Sequence, residues 1–308
     1  MQNVLEAIVL IILFLFKIRD LVAQNFDLPL SKRWRWLIYN KKMQDPVLCS
    51  RVYERVQLFN VTESRKSIIE RLLVMDAKHV KYFPDGFFYR GKYSSEIRSQ
   101  YFINTLEASY VEEDLNIMTI AIRKLLSDSN LEYVDFVLFI KNGNQILAQN
   151  IFSNDNTIIY ICKIDGHSSY VPQGEHVPID SYSIQYENLD ALLHAAQARN
   201  NDRNLTGVAI DCSISTGMGL KDSIKHFNQL LDQNRNLRIN KIEHAFILYC
   251  HQNFDDDSIP FKLHRYFDMD EEIREMIYKE IALKDNKGAG ARKVYEKLKE
   301  KNRIHNDK

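Results

Sequence analysis

The chain has 308 residues, with 41 Lys plus Arg against 41 Asp plus Glu, so its formal net charge at pH 7 is +0. That balance excludes a polyelectrolyte that binds nucleic acid through overall charge. With 45% hydrophobic and 27% charged residues, the chain has the composition of a globular protein with a sizeable core, and not of a disordered one. The four cysteines, Cys49, Cys162, Cys212 and Cys250, are scattered without metal-ligand spacing. Three lie in or beside apolar runs, where buried thiols are common, and a reducing cytoplasm is the compartment they suit.

The first notable stretch is apolar. Ala7 to Phe16 is unbroken hydrophobic sequence, and Ile18, Leu21 and Val22 continue it at helical spacing. A bilayer span needs about 20 apolar residues, and this run is shorter, with Glu6 before it and Lys17 and Arg19 after it. No basic n-region or small-residue cleavage site marks a signal peptide. Residues 4–23 therefore carry three readings: a helix packed on protein or a partner, a membrane-seated helix, and a signal anchor. If the run spans a bilayer, the basic flank keeps the rest of the chain cytoplasmic. The following stretch, Ser31 to Tyr39, interleaves Lys32, Arg33 and Arg35 with Trp34 and Trp36. It suits base stacking or a lipid interface, and equally a helix with packed indoles and solvated cations.

Asp45 to His79 reads as helical, with Thr62-Glu63-Ser64 as a start signal and Ile68, Ile69, Leu72 and Leu73 on one face. Residues 1–79 are thus expected to form an N-terminal helical extension. From Val80 to Asn104 the character changes. Pro84-Asp85-Gly86 predicts a turn, followed by the aromatic run Phe87-Phe88-Tyr89 and by Arg90-Gly91-Lys92. Glu107 to Leu126 reads as one helix. Val134 to Ile140 is a buried-type strand running into Lys141-Asn142-Gly143-Asn144, with a helix from about Gln145. Thr157 to Lys163 is the next strand. The polar loop after it, which carries Asp165, Gly166 and His167, has the length used for lids. Leu189 to Ala198 is helical.

The most informative stretch is Leu205 to Ser223. The apolar run Val208-Ala209-Ile210 ends in Asp211 and is followed by Cys212, Ser213, Ile214, Ser215, Thr216, Gly217, Met218 and Gly219. An amphipathic helix follows, with Ile224, Phe227, Leu230 and Leu231 on one face. A strand, a small polar loop and a helix N-terminus form a phosphate cradle: backbone N–H groups and hydroxyls meet an anion, and glycines admit it. Lys141 to Asn144 repeats that logic after an earlier strand, with a lysine supplying charge. Asp211 can accept hydrogen bonds from a sugar diol. No Gly-Lys-Ser/Thr closes a Walker loop, and the third glycine of a dinucleotide fingerprint is missing.

Downstream, Lys241 to Cys250 is another strand. Asp255-Asp256-Asp257 is an acid run that suits a cation or solvent. Asp270 to Ala282 is an amphipathic helix, Asn286 to Gly290 breaks the chain, and Ala291 to Asn302 is a basic helix. The alternation of strands and helices predicts an α/β fold with a mostly parallel sheet and helices on both faces. The expected division is 1–79, then a domain over 80–285, then a basic C-terminal tail helix over 286–308.

The Asp211–Gly219 stretch resembles the phosphoribosyl-pyrophosphate (PRPP) motif of type I phosphoribosyltransferases. The aromatic segment leading to Lys92 is similar to the amino-terminal segment of orotate phosphoribosyltransferases. The resemblance covers roughly residues 80 to 270. It departs at Cys212, where the family carries a second acid, at Arg90, which replaces a serine, and at Cys162, where arginine is usual. By this resemblance Asp211 would hold the ribose hydroxyls. Cys212, Ser213, Ser215, Thr216, Gly217, Met218 and Gly219 would form the PRPP loop. Lys141, Asn142, Gly143, Asn144 and Lys92 would face pyrophosphate, and Lys163 and His167 would assist the leaving group from a mobile loop. The implied cofactor is Mg²⁺, carried with PRPP, and no protein metal site is assigned. The implied activity is transfer or cleavage at the ribose anomeric carbon; the alternative is an inactive fold that senses a ligand or forms complexes. The implied partners are a phosphoribosyl or nucleotide small molecule, a second copy in a homodimer, and, through the N-terminal extension, a nucleoprotein, protein or membrane partner. Diverged members resembling this chain occur in bacterial anti-phage (retron-type) systems, which implies an effector role.

Overall fold

The computed structural model describes residues 61–89, 98–129, 131–140, 144–152, 158–164, 170–171, 185–198, 203–214, 217–234, 237–250 and 259–305. The apolar run at 4–23, the Trp/Arg stretch and the acid run at 255–257 lie outside these residues. The first described helix, α1 (Arg65–His79), begins where the sequence predicts. Ser64 is its N-cap, accepting from the Ser67 N–H at 3.2 Å. Ile68, Ile69, Leu72 and Leu73 form its buried face. That face packs in the same hydrophobic core as the central sheet. The described residues all belong to one compact unit that begins upstream of α1.

β1 (Val80–Tyr89) and β2 (Arg98–Ile103) pair antiparallel. The turn signal at Pro84-Asp85-Gly86 falls inside β1, as an irregular excursion that interrupts its pairing without ending the strand. The register shifts between Tyr82 and Phe87, and Gly86 has φ 70°. The strand resumes because Phe87 regains a partner in Ser99 and packs edge-on against Phe102 at 5.5 Å. The helix expected over 107–126 is two helices, α2 (Thr105–Ala108) and α3 (Glu112–Asp128). Val111 between them is extended, and Glu112, Glu113 and Asp114 favour a new helix N-terminus.

The central elements follow in the order β3 (Phe136–Ile140), α4 (Asn144–Ile151), β4 (Ile159–Ile164), β5 (Tyr170–Val171), β6 (Gln185–Glu187) and α5 (Leu189–Ala198). Next come β7 (Gly207–Ile210), β8 (Ser213–Ile214), α6 (Met218–Gln233), β9 (His244–Phe246), β10 (Tyr249–Cys250), β11 (Lys262–His264) and β12 (Phe267–Asp268). The six-stranded sheet runs β11-β9-β7-β3-β4-β6, with every pair parallel except β4 and β6. β8, β10 and β12 form a short parallel sheet in the order β12-β10-β8. Alternating β3 residues divide the core. Val137 and Phe139 join Val208, Ile210 and Phe246 on the face covered by α1, α3 and α4. Phe136 faces the other way, against Phe227 of α6 at 5.7 Å between ring centroids. Helices on both faces of a mostly parallel sheet are the predicted α/β class.

The chain closes with α7 (Glu271–Met276), which runs into a π-helix (Ile277–Ala282), and α8 (Lys287–Glu300). The segment expected as a basic tail is built into the core. Gly290, Ala291, Val294 and Leu298 are its buried stripe, and its cations lie on the opposite side. Beyond α8, Ile304 bridges Phe267 antiparallel, and the His305 N–H donates to the Tyr266 carbonyl at 2.9 Å. A Cβ at Gly290 would sit 2.4 Å from the Glu280 carbonyl oxygen. Gly290→Ala is therefore expected to cost about 1–3 kcal/mol of stability, read from its urea midpoint.

A carboxyl group lies inside this core. Asp76 of α1 is fully buried; its Oδ1 accepts from the Tyr249 hydroxyl at 2.7 Å, and among the described residues its Oδ2 has no hydrogen-bond partner. Burial raises its pKa to about 8, against the lowering effect of the Tyr249 bond and with a further push from Asp114. A carboxyl raised in the folded state adds stability fully present below its unfolded pKa near 4 and lost as pH rises through about 8. Asp76→Asn should remove that dependence. Relative to wild type, the variant is expected to gain about 2 kcal/mol or more at pH 9 over pH 5 in denaturant titrations.

Candidate functional site

β3 and β7 are neighbours, but the chain leaves β3 toward β4 on one side and leaves β7 toward β9 on the other. The strand order therefore reverses between β3 and β7, and in open α/β sheets ligands bind at the carboxyl edge of such a pair. The amino edges of the same strands are clamped together. The Arg203 guanidinium forks onto the buried Asp135 carboxylate at 2.6 and 2.8 Å, and the Thr206 N–H donates to Asp135 Oδ2 at 2.8 Å. Arg203 also lies 4.0 Å from the Tyr133 ring centroid. The Phe136 side chain lies across Gly207, where a Cβ would meet its ring at 2.0 Å.

Gly207–Ile210 is wholly buried, and Asp211 follows it. Asp211 is held in the ladder: its N–H donates to the Phe246 carbonyl at 3.0 Å, and the Leu248 N–H donates to the Cys212 carbonyl at 2.9 Å. The expected turn at Cys212 is thus only a two-residue break. Strand character resumes in β8, where Ser213 pairs with Tyr249.

Asn144, the first residue of α4, meets Asp211 at this carboxyl edge. Its Nδ2 donates to Asp211 Oδ1 at 3.0 Å, and the same oxygen accepts the Cys212 N–H at 2.7 Å. The Cys212 thiol donates to Asn144 Oδ1 at 2.8 Å. The three side chains are all buried, at 7% exposure for Asn144, 9% for Asp211 and 3% for Cys212. Burial pushes the Cys212 thiol well above its usual pKa, and the Asp211 charge adds to the effect. Cys212 is therefore a protonated donor at neutral pH.

On the far side of the break, Gly217 caps α6 in the left-handed conformation, φ 69° and ψ 0°, and supplies no side-chain cap. Leu220, Ile224, Phe227 and Leu231 seat the helix. A Cβ at Gly219 would meet nothing within 4 Å, so the space over the first turn is open. The first N–H groups of a helix have no partners within it, which is the general basis of anion binding at such a terminus.

The structure thus brings Asp211, Cys212, Ser213, Gly217, Met218 and Gly219 to one edge and adds Asn144 from the preceding loop. Asn144 is among the residues that the resemblance sets toward pyrophosphate, and its side chain engages Asp211 and Cys212. An asparagine at a helix start carries no special signal in sequence, and its role shows only in the fold. Ser215, Thr216, Lys141, Asn142, Gly143, Lys92 and His167 lie outside the described residues. Lys163 lies in β4, aligned with Ile140 and Tyr186. β5, from the predicted lid, pairs antiparallel with the end of β1, matching Phe88 with Val171 and Tyr89 with Tyr170. Among the described residues, no group of three or more His, Cys, Asp or Glu side chains is arranged to hold a metal, and no helix is long and apolar enough to cross a membrane.

No family model matches the chain, and no curated protein is similar to it. Several solved structures are similar to it at low identity. UMP synthase from Leishmania donovani aligns at TM-score 0.39 and 12% identity, over 77% of this chain and 42% of that one. Orotate phosphoribosyltransferase from Aeropyrum pernix aligns at 0.40 and 14%, over 66% and 92%. Adenine phosphoribosyl transferase from Trypanosoma brucei aligns at 0.37 and 14%, over 70% and 83%. The chain spans less than half the length of the Leishmania protein.

The left-handed cap makes a direct prediction. Gly217→Ala should lose about 1 kcal/mol and Gly217→Val more, whereas Gly217→Asn should lose least, as measured by thermal denaturation.

Proposed function

We propose that this chain binds a phosphoribosyl ligand, PRPP or a nucleotide, at the carboxyl edge of β3 and β7. The observation that carries the reading is Asp211, held by Asn144 at the end of β7, followed within a few residues by the N-terminus of α6 with no side-chain cap at Gly217. An acceptor for a sugar diol and a set of N–H donors for the 5′-phosphate stand on one edge, in the order that the PRPP motif would require. In this reading Ser213, Ser215, Thr216 and Gly219 line the phosphate loop. Lys141, Lys163 and Lys92 face the diphosphate, and His167 assists the leaving group.

The reaction proposed is substitution at the anomeric carbon. The acceptor atom, or a water oxygen in a cleavage reaction, bonds to C1′ as the C1′–O bond breaks, and the electron pair leaves with pyrophosphate. Charge develops on the sugar and on the leaving oxygens, so the protein's part is positioning and electrostatics. Mg²⁺ would arrive with the ligand's own oxygens. Asp211 suits such a hard cation, and the protonated Cys212 thiol does not. We also assign the chain an effector role in anti-phage defence, a proposal that rests on sequence resemblance alone.

Calorimetric titration with PRPP and Mg²⁺ tests the site. Asp211→Asn preserves the shape and removes the charge; it is expected to weaken binding by about 10- to 100-fold. Unchanged affinity would overturn the assignment. A second reading, ligand binding without turnover, is favoured by Cys212 standing in place of an acid. It predicts the same titration with no pyrophosphate released in the presence of any base.

A further inference from the structure

The contact between the segments that follow β3 and β7 has a polarity that only one arrangement satisfies. Asp211 is an acceptor, and its Oδ1 takes the Cys212 N–H at 2.7 Å. Asn144 must therefore present its nitrogen to that oxygen, because the opposite amide orientation would set a carbonyl against a carboxylate. Its oxygen is then left pointing at position 212, at 2.8 Å from the sulfur. Nothing but a donor can stand there. A protonated thiol donates; an ionised carboxylate at the same place would confront the Asn144 oxygen with a second acceptor. All three side chains are buried, so water is a poor substitute for a lost partner.

We propose that Cys212 is a positioning residue that orients Asn144 by donating to its amide oxygen, and through Asn144 holds Asp211 for the ligand's sugar. The inference rests on the phosphoribosyl reading for the identity of that ligand. It also assigns a purpose to the chain's main departure from the PRPP motif. Where the motif carries an acid this chain has a donor that satisfies the Asn144 oxygen, so placing an acid at 212 alone would damage the site.

The test combines two measurements on the full chain. In the first, PRPP with Mg²⁺ is titrated into wild type, Cys212→Ser, Cys212→Ala and Cys212→Asp. The serine hydroxyl keeps a donor and should bind within about threefold of wild type, whereas alanine and aspartate should each weaken binding by about tenfold or more. The aspartate defect, expressed as a ratio to wild type, should shrink as pH falls, because a protonated carboxyl regains the donor. In the second, the S–H stretch of Cys212 is isolated as the infrared difference between wild type and Cys212→Ser. It should be shifted as for a hydrogen-bonded thiol and should move to the unbonded position in Asn144→Ala. If Cys212→Ala or Cys212→Asp binds like wild type, the positioning role is overturned; an unbonded thiol stretch in wild type overturns the network itself. If wild type binds no PRPP while the stretch is shifted, the phosphoribosyl reading fails and the assignment of Cys212 to Asn144 stands.

Discussion

Everything at the carboxyl edge depends on β3 and β7 lying side by side in a single register. Asn144 follows β3 and Asp211 follows β7, and they meet only because Phe136 pairs with Gly207 and Phe139 with Ile210. A slip of one residue would reverse the faces of one strand relative to the other and separate the two side chains. Two features hold the register at the opposite edge. The Asp135–Arg203 fork crosses between the strands, and the Phe136 side chain takes the space that a Cβ at Gly207 would need. The ion pair is no simple stabiliser, since burying Asp135 costs much of what the pairing returns. Its effect is to make any other pairing leave a buried charge without its partner, at about 3–5 kcal/mol. The clamp thus specifies geometry more than it adds stability.

The same logic of specification runs through the core on the covered face. Tyr249 of β10 pairs with Ser213 of β8 in the backbone and donates its hydroxyl to Asp76 of α1. The short sheet that follows the Asp211–Cys212 break is therefore tied to the helix packed beneath it. Phe267 stacks on Tyr249 at 5.1 Å between centroids, and the chain beyond α8 pairs with β12 through Ile304. Residues before β1 and after α8 consequently support the short sheet that continues from the Asp211–Cys212 break. This explains why α1 and α8, which flank the stretch of resemblance, pack as core and not as appendages.

What the sequence made legible follows from the range of the forces involved. The Ser64 cap and the apolar faces of α1 and α6 are local, and they fall where periodicity places them. The parallel strands β3, β4 and β7 were readable from their length and continuous apolar character, whereas the strand expected over 241–250 is the two strands β9 and β10, and β11 and β12 carry too few residues to signal themselves. The strand–loop–helix unit after β7 was readable as well, because glycines and small polar residues punctuate it. The excursion in β1 was not readable, because Pro84-Asp85-Gly86 is a turn in isolation and only the pairing of Phe87 with Ser99 carries the strand through it. The split between α2 and α3 was obscured by apolar residues that suit either outcome. The docking of α8 was hidden by its basic composition, which describes one side of the helix and not the stripe of Gly290, Ala291, Val294 and Leu298. Asn144 was seen as part of a loop, but its engagement with Asp211 depends on two strands separated in sequence and adjacent in space.

The exchange of an acid for Cys212 has an electrostatic consequence for the proposed ligand. Two unit charges about 4 Å apart interact by about 4 kcal/mol at the effective dielectric of a protein edge. A second carboxylate beside Asp211 would repel a ligand rich in phosphate unless a cation stood between them. A neutral thiol removes that repulsion along with one potential anchor for the cation. Binding then leans on the α6 N-terminus and the sugar contact, and depends less on a metal held by protein carboxylates. In the proposed reaction the balance is opposite, because charge on departing pyrophosphate has to be neutralised. Position 212 therefore bears differently on the two halves of the proposed chemistry: a neutral thiol there favours binding of a phosphate-rich ligand and does nothing to neutralise a departing diphosphate.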